Sequence, residues 1–127
     1  MWKKTLILLP ALLLLAGCAT TVTNISAQHQ LRNANNLYPV EVAFDSRQQA
    51  LRWDTIQVAV IVGKESYPMR PTKLMRNRWE GLIPVPPGVN TITYHYKLDY
   101  QYTDFGKVSK DSAASHSYKL MILDQKL

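Results

Sequence analysis

Beyond Asn36 the chain alternates between apolar and polar positions. Val40, Val42 and Phe44 are separated by Glu41 and Ala43; Ile56, Val58, Val60 and Val62 by Gln57, Ala59 and Ile61; Trp79, Gly81, Ile83 and Val85 by Glu80, Leu82 and Pro84. A period of two puts successive side chains on opposite faces of an extended strand, so each run predicts a strand with one face inward. The longest run sets Ile92, Tyr94, Tyr96, Leu98, Tyr100 and Tyr102 on one face, and Thr91, Thr93, His95, Lys97, Asp99 and Gln101 on the other. A helix would scatter those tyrosines around its circumference. Tyr118, Leu120 and Ile122 define a last strand, where apolar Met121 and Leu123 predict cover on both sides.

Turn chemistry separates the runs: Asp45-Ser46-Arg47, Gly63-Lys64-Glu65-Ser66, Pro86-Pro87-Gly88 and Asp104-Phe105-Gly106-Lys107. Pro-Pro-Gly presets φ and then supplies a permissive residue, which suits a tight reversal between strands. Short strands at this spacing, with no long helical pattern, predict an all-β chain folded as an antiparallel β-sandwich of about six to eight strands over residues 37–127.

The chain ahead of the sandwich has a different composition. Met1-Trp2-Lys3-Lys4 is basic, and Thr5 to Gly17 carries no charge. A basic tip, a short apolar stretch and small residues at the end are the parts of a secretory signal peptide, and the stretch is shorter than the ~20 residues that span a bilayer. Residues 1–17 are therefore expected to be a cleaved leader. Residues 18–36, rich in Thr, Asn, Gln and Ala with few large apolar side chains, predict a flexible tether that contains His29. The chain carries 15 Lys+Arg against 9 Asp+Glu, a formal net charge of +6, and Lys3 and Lys4 leave with the leader. That mild excess, without basic residues clustered among aromatic or helical readers, argues against nucleic acid as a partner. Arg70, Lys73, Arg76 and Arg78 fall close together and form a candidate basic patch for an anionic lipid or acidic partner; a solvated loop and strand edge is the competing account.

Leu15-Ala16-Gly17-Cys18 resembles the lipobox of bacterial lipoproteins, and Cys18 is the single cysteine of the chain. The resemblance implies a diacylglyceryl group on the Cys18 thiol, cleavage before Cys18 and acylation of the new amine. Several acyl chains at ~0.8 kcal/mol per buried CH₂ make a permanent anchor. The following residue is Ala19 rather than the Asp that marks inner-membrane retention, so the resemblance places the protein on the outer membrane, facing the periplasm or the cell surface. No other cofactor is expected.

The stretch from Tyr67 to Tyr100 resembles the immunoglobulin-like early-set domains and glycogen-binding modules, in which a Met-bearing loop, an aromatic strand and a Pro-x-Gly turn precede a Tyr-x-Tyr-x-Leu-Asp motif, here Tyr94 to Asp99. The resemblance covers residues 38–124 and implies an immunoglobulin-like sandwich. Sugar-binding members stack a tryptophan three residues past the Asp; that position is Tyr102. Their lysine falls on His95 and their loop tryptophan on Tyr67, and their Asp-Gly becomes Asp99-Tyr100. Three substitutions among the sugar contacts leave the fold implied more firmly than the ligand.

No catalytic constellation emerges. His29, His95 and His116 have no ligand set at zinc spacing, so no metal is expected. Asp104-Phe105-Gly106 stands without the other parts of a kinase, and Ser112, Ser115, His116 and Ser117 lack a nucleophile elbow. Glu80 and Asp99 suit edge or outward charges better than a glycosidase pair. The expected function is a non-catalytic interaction module for another envelope protein. The alternative is a glycan-binding module whose platform is drawn from Tyr67, Trp53, His95, Tyr100 and Tyr102, with Tyr94 and Tyr96 in the core. The anchor itself is tested by Cys18→Ser, which should leave an uncut or soluble product that no longer enters the detergent phase; unchanged partitioning would rule the anchor out.

Overall fold

The computed structural model describes residues 20–47 and 50–124. The expected leader, residues 1–17, and Cys18 lie outside the described residues. Ten strands follow one another: β1 (Thr20–Asn24), β2 (His29–Leu31), β3 (Leu37–Ser46), β4 (Leu51–Val62), β5 (Glu65–Pro68), β6 (Arg70–Pro71), β7 (Arg78–Pro84), β8 (Thr91–Asp104), β9 (Lys107–Ala114) and β10 (Tyr118–Leu123). They form two sheets, β1-β3-β7-β6 and β2-β10-β8-β4-β5, with β9 also paired to β8. The fold is an all-β sandwich, as the alternation predicts. Every pairing is antiparallel except β2 with β10, which is parallel.

The strand count exceeds the expected six to eight because bulges and crossovers divide the runs. β9 and β10 lie in succession along one edge of β8, and the register slips by one residue between Lys97↔Ala114 and Tyr94↔Tyr118. Ser115 closes that bulge: its N–H donates to the Tyr96 carbonyl at 3.0 Å, and its Oγ accepts from the Tyr96 N–H at 2.9 Å. A larger bulge interrupts β4 between Arg52 and Gln57. There the Thr55 hydroxyl donates to the Arg52 carbonyl at 2.6 Å and accepts from the Gln101 N–H at 2.9 Å, so these two backbone groups keep a partner across the bulge.

The inward positions read from the pattern make the core. Val40, Val42, Phe44, Val58, Val60, Trp79, Ile83, Tyr94, Tyr96, Leu98, Leu120 and Ile122 are all buried, and Tyr38, one step before the β3 run, is buried with them. Phe44 of one sheet meets Tyr100 of the other with ring centroids 5.8 Å apart. Met121, expected to be covered, is exposed because β2 pairs beside β10 at the sheet edge instead of lying over its face.

The expected tether is corrected. The sandwich begins at Thr20, whose strand pairs with β3 from Thr20↔Ser46 to Asn24↔Val42, and His29 lies in β2 rather than in a linker. The physical reason is polar rather than apolar. Tyr94 and Tyr96 bury their rings completely, and their hydroxyls require partners. Asn24 supplies both: its Nδ2 donates to the Tyr94 hydroxyl at 3.0 Å, and its Oδ1 accepts from the Tyr96 hydroxyl at 2.6 Å. Ser26 Oγ lies 3.1 Å from the Tyr96 hydroxyl and accepts the Glu41 N–H at 2.7 Å. Farther along, the Asn33 N–H donates to the buried Tyr38 hydroxyl at 3.1 Å, and Arg32 pairs with Asp124 at 2.6 Å.

Asn24→Ala should therefore lower the unfolding free energy by about 1–3 kcal/mol, the cost of leaving the buried Tyr94 hydroxyl unpaired while the Tyr96 hydroxyl keeps Ser26 and the Glu41 carbonyl, whereas a true tether would leave the denaturant midpoint unchanged. A second expectation concerns alkaline pH. Burial, the largest cause, pushes the Tyr96 hydroxyl far above the ordinary tyrosine range. The unfolded chain loses that proton near about pH 10 and the folded chain holds it. Stability is thus full below about pH 10 and falls as pH rises beyond it. Denaturant titrations from about pH 9 to 11 should show that decline, and Tyr96→Phe should flatten it.

Candidate functional site

A groove of about 1060 Å³ runs across the outer face of β3 and β7. Its floor is Pro39, Glu41, Glu80 and Leu82, the outward residues of the two paired strands, where Pro39 faces Leu82 and Glu41 faces Glu80. One wall is the passage from β1 to β2, with Ile25, Ala27 and Leu31; the other is the passage from β5 to β6, with Tyr67, Pro68 and Met69. Both walls are places where the chain leaves one sheet for the other. Ser26 and Gln30 hold the first wall to β3, the latter through its Nε2 donating to the Pro39 carbonyl at 2.9 Å.

Gly81 shapes the second wall. It occupies an inward position between Trp79 and Ile83, and a Cβ there would lie 3.0 Å from Met69 Cγ. The missing side chain lets Met69 settle against β7, where it is buried. The groove is mostly apolar, with Leu82 half exposed and Ile25 and Leu31 also exposed. One end is charged: Arg70 reaches Glu80 at 3.3 Å, a pair whose arginine is 81% exposed and whose electrostatic worth is small.

The edge of β7 is open here. β6 covers only Trp79 and Glu80, through Pro71 and Arg70. The Val85 N–H donates to the Asn36 carbonyl and the Phe44 N–H to the Asn77 carbonyl, which fixes the odd-numbered residues of β7 as those that bond β3. The backbone of Leu82 therefore points away from β3, toward a stretch of the β7 edge that no ladder among the described residues pairs, with the wall of Tyr67, Pro68 and Met69 beside it.

The residues singled out from sequence do not assemble into one site. Tyr67 lies in the groove wall at the level of Val60 and Tyr96. Tyr102 faces Leu51, six positions farther along β8 and roughly 20 Å away. Trp53, in the β4 bulge, sits at that same far end, edge-on to Phe44 at 5.9 Å and beneath the Arg76 guanidinium at 5.7 Å. His95 is half-buried on the outer face of β8, while Tyr100 is 7% exposed and belongs to the core. Burial, then the facing Asp111 carboxylate, raise the Tyr100 hydroxyl above its ordinary range. The basic patch divides: Arg70 joins the groove, whereas Lys73, Arg76 and Arg78 gather where β7 begins. Of the groove residues that the sequence does not single out, Leu82 carries a signal, an apolar side chain at an outward position; Ile25 and Leu31 fall in the segment whose composition predicts a tether.

Among the described residues, no group of three His, Cys, Asp or Glu side chains could hold a metal, and no helix is long and apolar enough to cross a membrane. No family model matches the chain, and no curated protein matches it. Among solved structures, it is similar to the crystal structure of a DUF4785 family protein from Legionella pneumophila subsp. pneumophila str. Philadelphia 1, at 13% identity with a TM-score of 0.43. The similarity covers 81% of this chain and 28% of that one, so the chain spans under a third of that protein's length.

Proposed function

We propose that this protein is a bacterial lipoprotein, anchored to the outer membrane through Cys18, whose immunoglobulin-like sandwich is a non-catalytic module that binds an extended segment of another envelope protein. The observation that carries the binding reading is the apolar groove beside the open β7 edge at Leu82. An added strand would take its backbone bonds from that edge and set alternate side chains beside Leu82 on the groove face, which is how peptides augment exposed sheets. Anchoring rests on the lipobox-like residues Leu15 to Cys18. A glycan platform of Tyr67, Trp53 and Tyr102 is less well supported, because the strands hold Tyr67 at one level and the other two at the far end.

A photo-crosslinking residue placed at Leu82 in the full chain, expressed in its own cell envelope, should give a discrete protein adduct. The same residue at Thr93, exposed on the opposite sheet, should give none, and Arg70→Glu or Pro39→Lys should weaken the Leu82 adduct severalfold. Equal yields at the two positions would reject the groove as the binding surface. Binding of the purified chain to a polysaccharide, lost in Tyr67→Ala or Tyr102→Ala, would promote the glycan alternative.

A further inference from the structure

The end of the sandwich that carries Thr20 differs from the rest of the surface. The register puts Thr20 opposite Ser46, at the end of β3, and Arg78, the first residue of β7, opposite Ala43. Leu51, the first residue of β4, faces Tyr102, just before the β8–β9 turn. The loop of residues 72–77 and the turn at Phe105 and Gly106 therefore lie at the same end as the N-terminal strand. Each ends in a bare apolar side chain: Leu74 is fully exposed and Phe105 is 97% exposed.

Both tips also sit in backbone conformations that disfavour them. Leu74 has φ 65° and Phe105 has φ 50°, and Phe105 is followed by Gly106 at φ 77° in a two-residue hairpin turn that ordinarily takes Asn-Gly. Large apolar residues thus occupy positions where turn geometry favours Asn or Gly, and neither gains burial within the domain. Their surroundings are basic. Across residues 45–47, 50–54, 72–78 and 103–108, six cations face three carboxylates, Asp45, Asp54 and Asp104, with Lys73 and Lys107 next to the tips.

We propose that this end is a membrane-apposed face that seats Leu74 and Phe105 among the headgroups of an anionic lipid surface. The proposal rests on the lipoprotein reading: Cys18 precedes Thr20 by two residues, which at full extension span at most about 7 Å, so a lipid on Cys18 brings this end, and no other, to the bilayer surface. At that separation the basic residues lie within a Debye length of the headgroup charge. The apolar tips then enter the interfacial zone, as amphipathic surface anchors do, and the bare Leu and Phe acquire the cover that the domain withholds.

The full chain, lipidated and reconstituted into phosphatidylethanolamine–phosphatidylglycerol vesicles, provides the test. An environment-sensitive probe on Lys107→Cys should shift to the blue and be quenched by lipids brominated in their acyl chains, while the same probe on Leu82→Cys should remain unquenched. Leu74→Asn with Phe105→Asn keeps the left-handed turn positions occupied by a residue that accepts them, so this double variant should melt no lower than the parent. It should also lose the quenching of the Lys107→Cys probe. Flotation with the vesicles separates the two levels of the argument. A chain that floats, yet shows equal quenching at both probe positions or unchanged quenching in the double variant, overturns the membrane-apposed face and leaves the anchor standing. A chain that fails to float overturns the anchor, and this orientation with it.

Discussion

Two tyrosine hydroxyls in the middle of the sandwich set the terms for the whole domain. Tyr94 and Tyr96 contribute large apolar rings to a small core, and their centroids lie 5.7 Å apart in an edge-on pair. A ring of that size can be buried only if its oxygen is also satisfied, since an unpaired buried hydroxyl costs about 1–3 kcal/mol. Neither hydroxyl is paired by β8's own neighbours β4 and β10. The side-chain partners come from Asn24 and Ser26, at the end of β1 and on the passage to β2, and the Glu41 carbonyl of β3 adds a further acceptor for Tyr96. That passage is consequently fixed across the interior end of the core, and β1 and β2 are fixed with it, one to each sheet.

The groove follows from the same constraint. Because the chain leaves β3 at Asn24 to reach the tyrosines, β1 stops covering the β3 edge after Val42. On the other side the chain passes from β5 to β6 through Met69, and β6 reaches only to Glu80. Two crossovers thus flank a stretch of β3 and β7 that no strand continues, and its outward Pro39 and Leu82 become a floor with walls. The inward vacancy of Gly81 matters for a related reason: with a side chain there, Met69 would have to move off the strand and the second wall with it.

Much of this was legible in the sequence. Alternation identified the inward residues of β7 and β8 and, in β3, Val40, Val42 and Phe44 but not Tyr38, because a sheet with one wet face obliges period two. The sequence pattern failed where backbone geometry departs from that period. Nothing in Trp53-Asp54-Thr55-Ile56 announces a bulge of several residues, since the device that stabilises it is a single threonine hydroxyl bonding across the strand. The order of the segment before Leu37 is not legible in its composition, for a deeper reason. Hydrophobicity asks whether a stretch can bury apolar surface, and Asn24, Ser26 and Asn33 cannot; they are ordered because buried oxygens elsewhere need them, a demand that is invisible until the strands are placed. The candidate site was least legible, since an open edge at Leu82 depends on where β6 ends and not on any property of Leu82 itself.

The two surfaces stand in a defined relation. The groove crosses residues 39–41 of β3 and 80–82 of β7, and β7 begins at Arg78, beside the loop bearing Leu74. Leu82 is four residues along the strand from Arg78, roughly 13 Å from that end. With the Thr20 end on a lipid surface, the strands stand away from the membrane and the open edge of β7 stands with them. On the proposed seating, a partner segment pairing with that edge would run along the membrane normal, starting within a few residues of the headgroups. The short connection between Cys18 and Thr20 is what would make this orientation selective. A long flexible tether would let the sandwich tumble, whereas a strand paired from its first described residue would couple the direction of the groove to the proposed anchor.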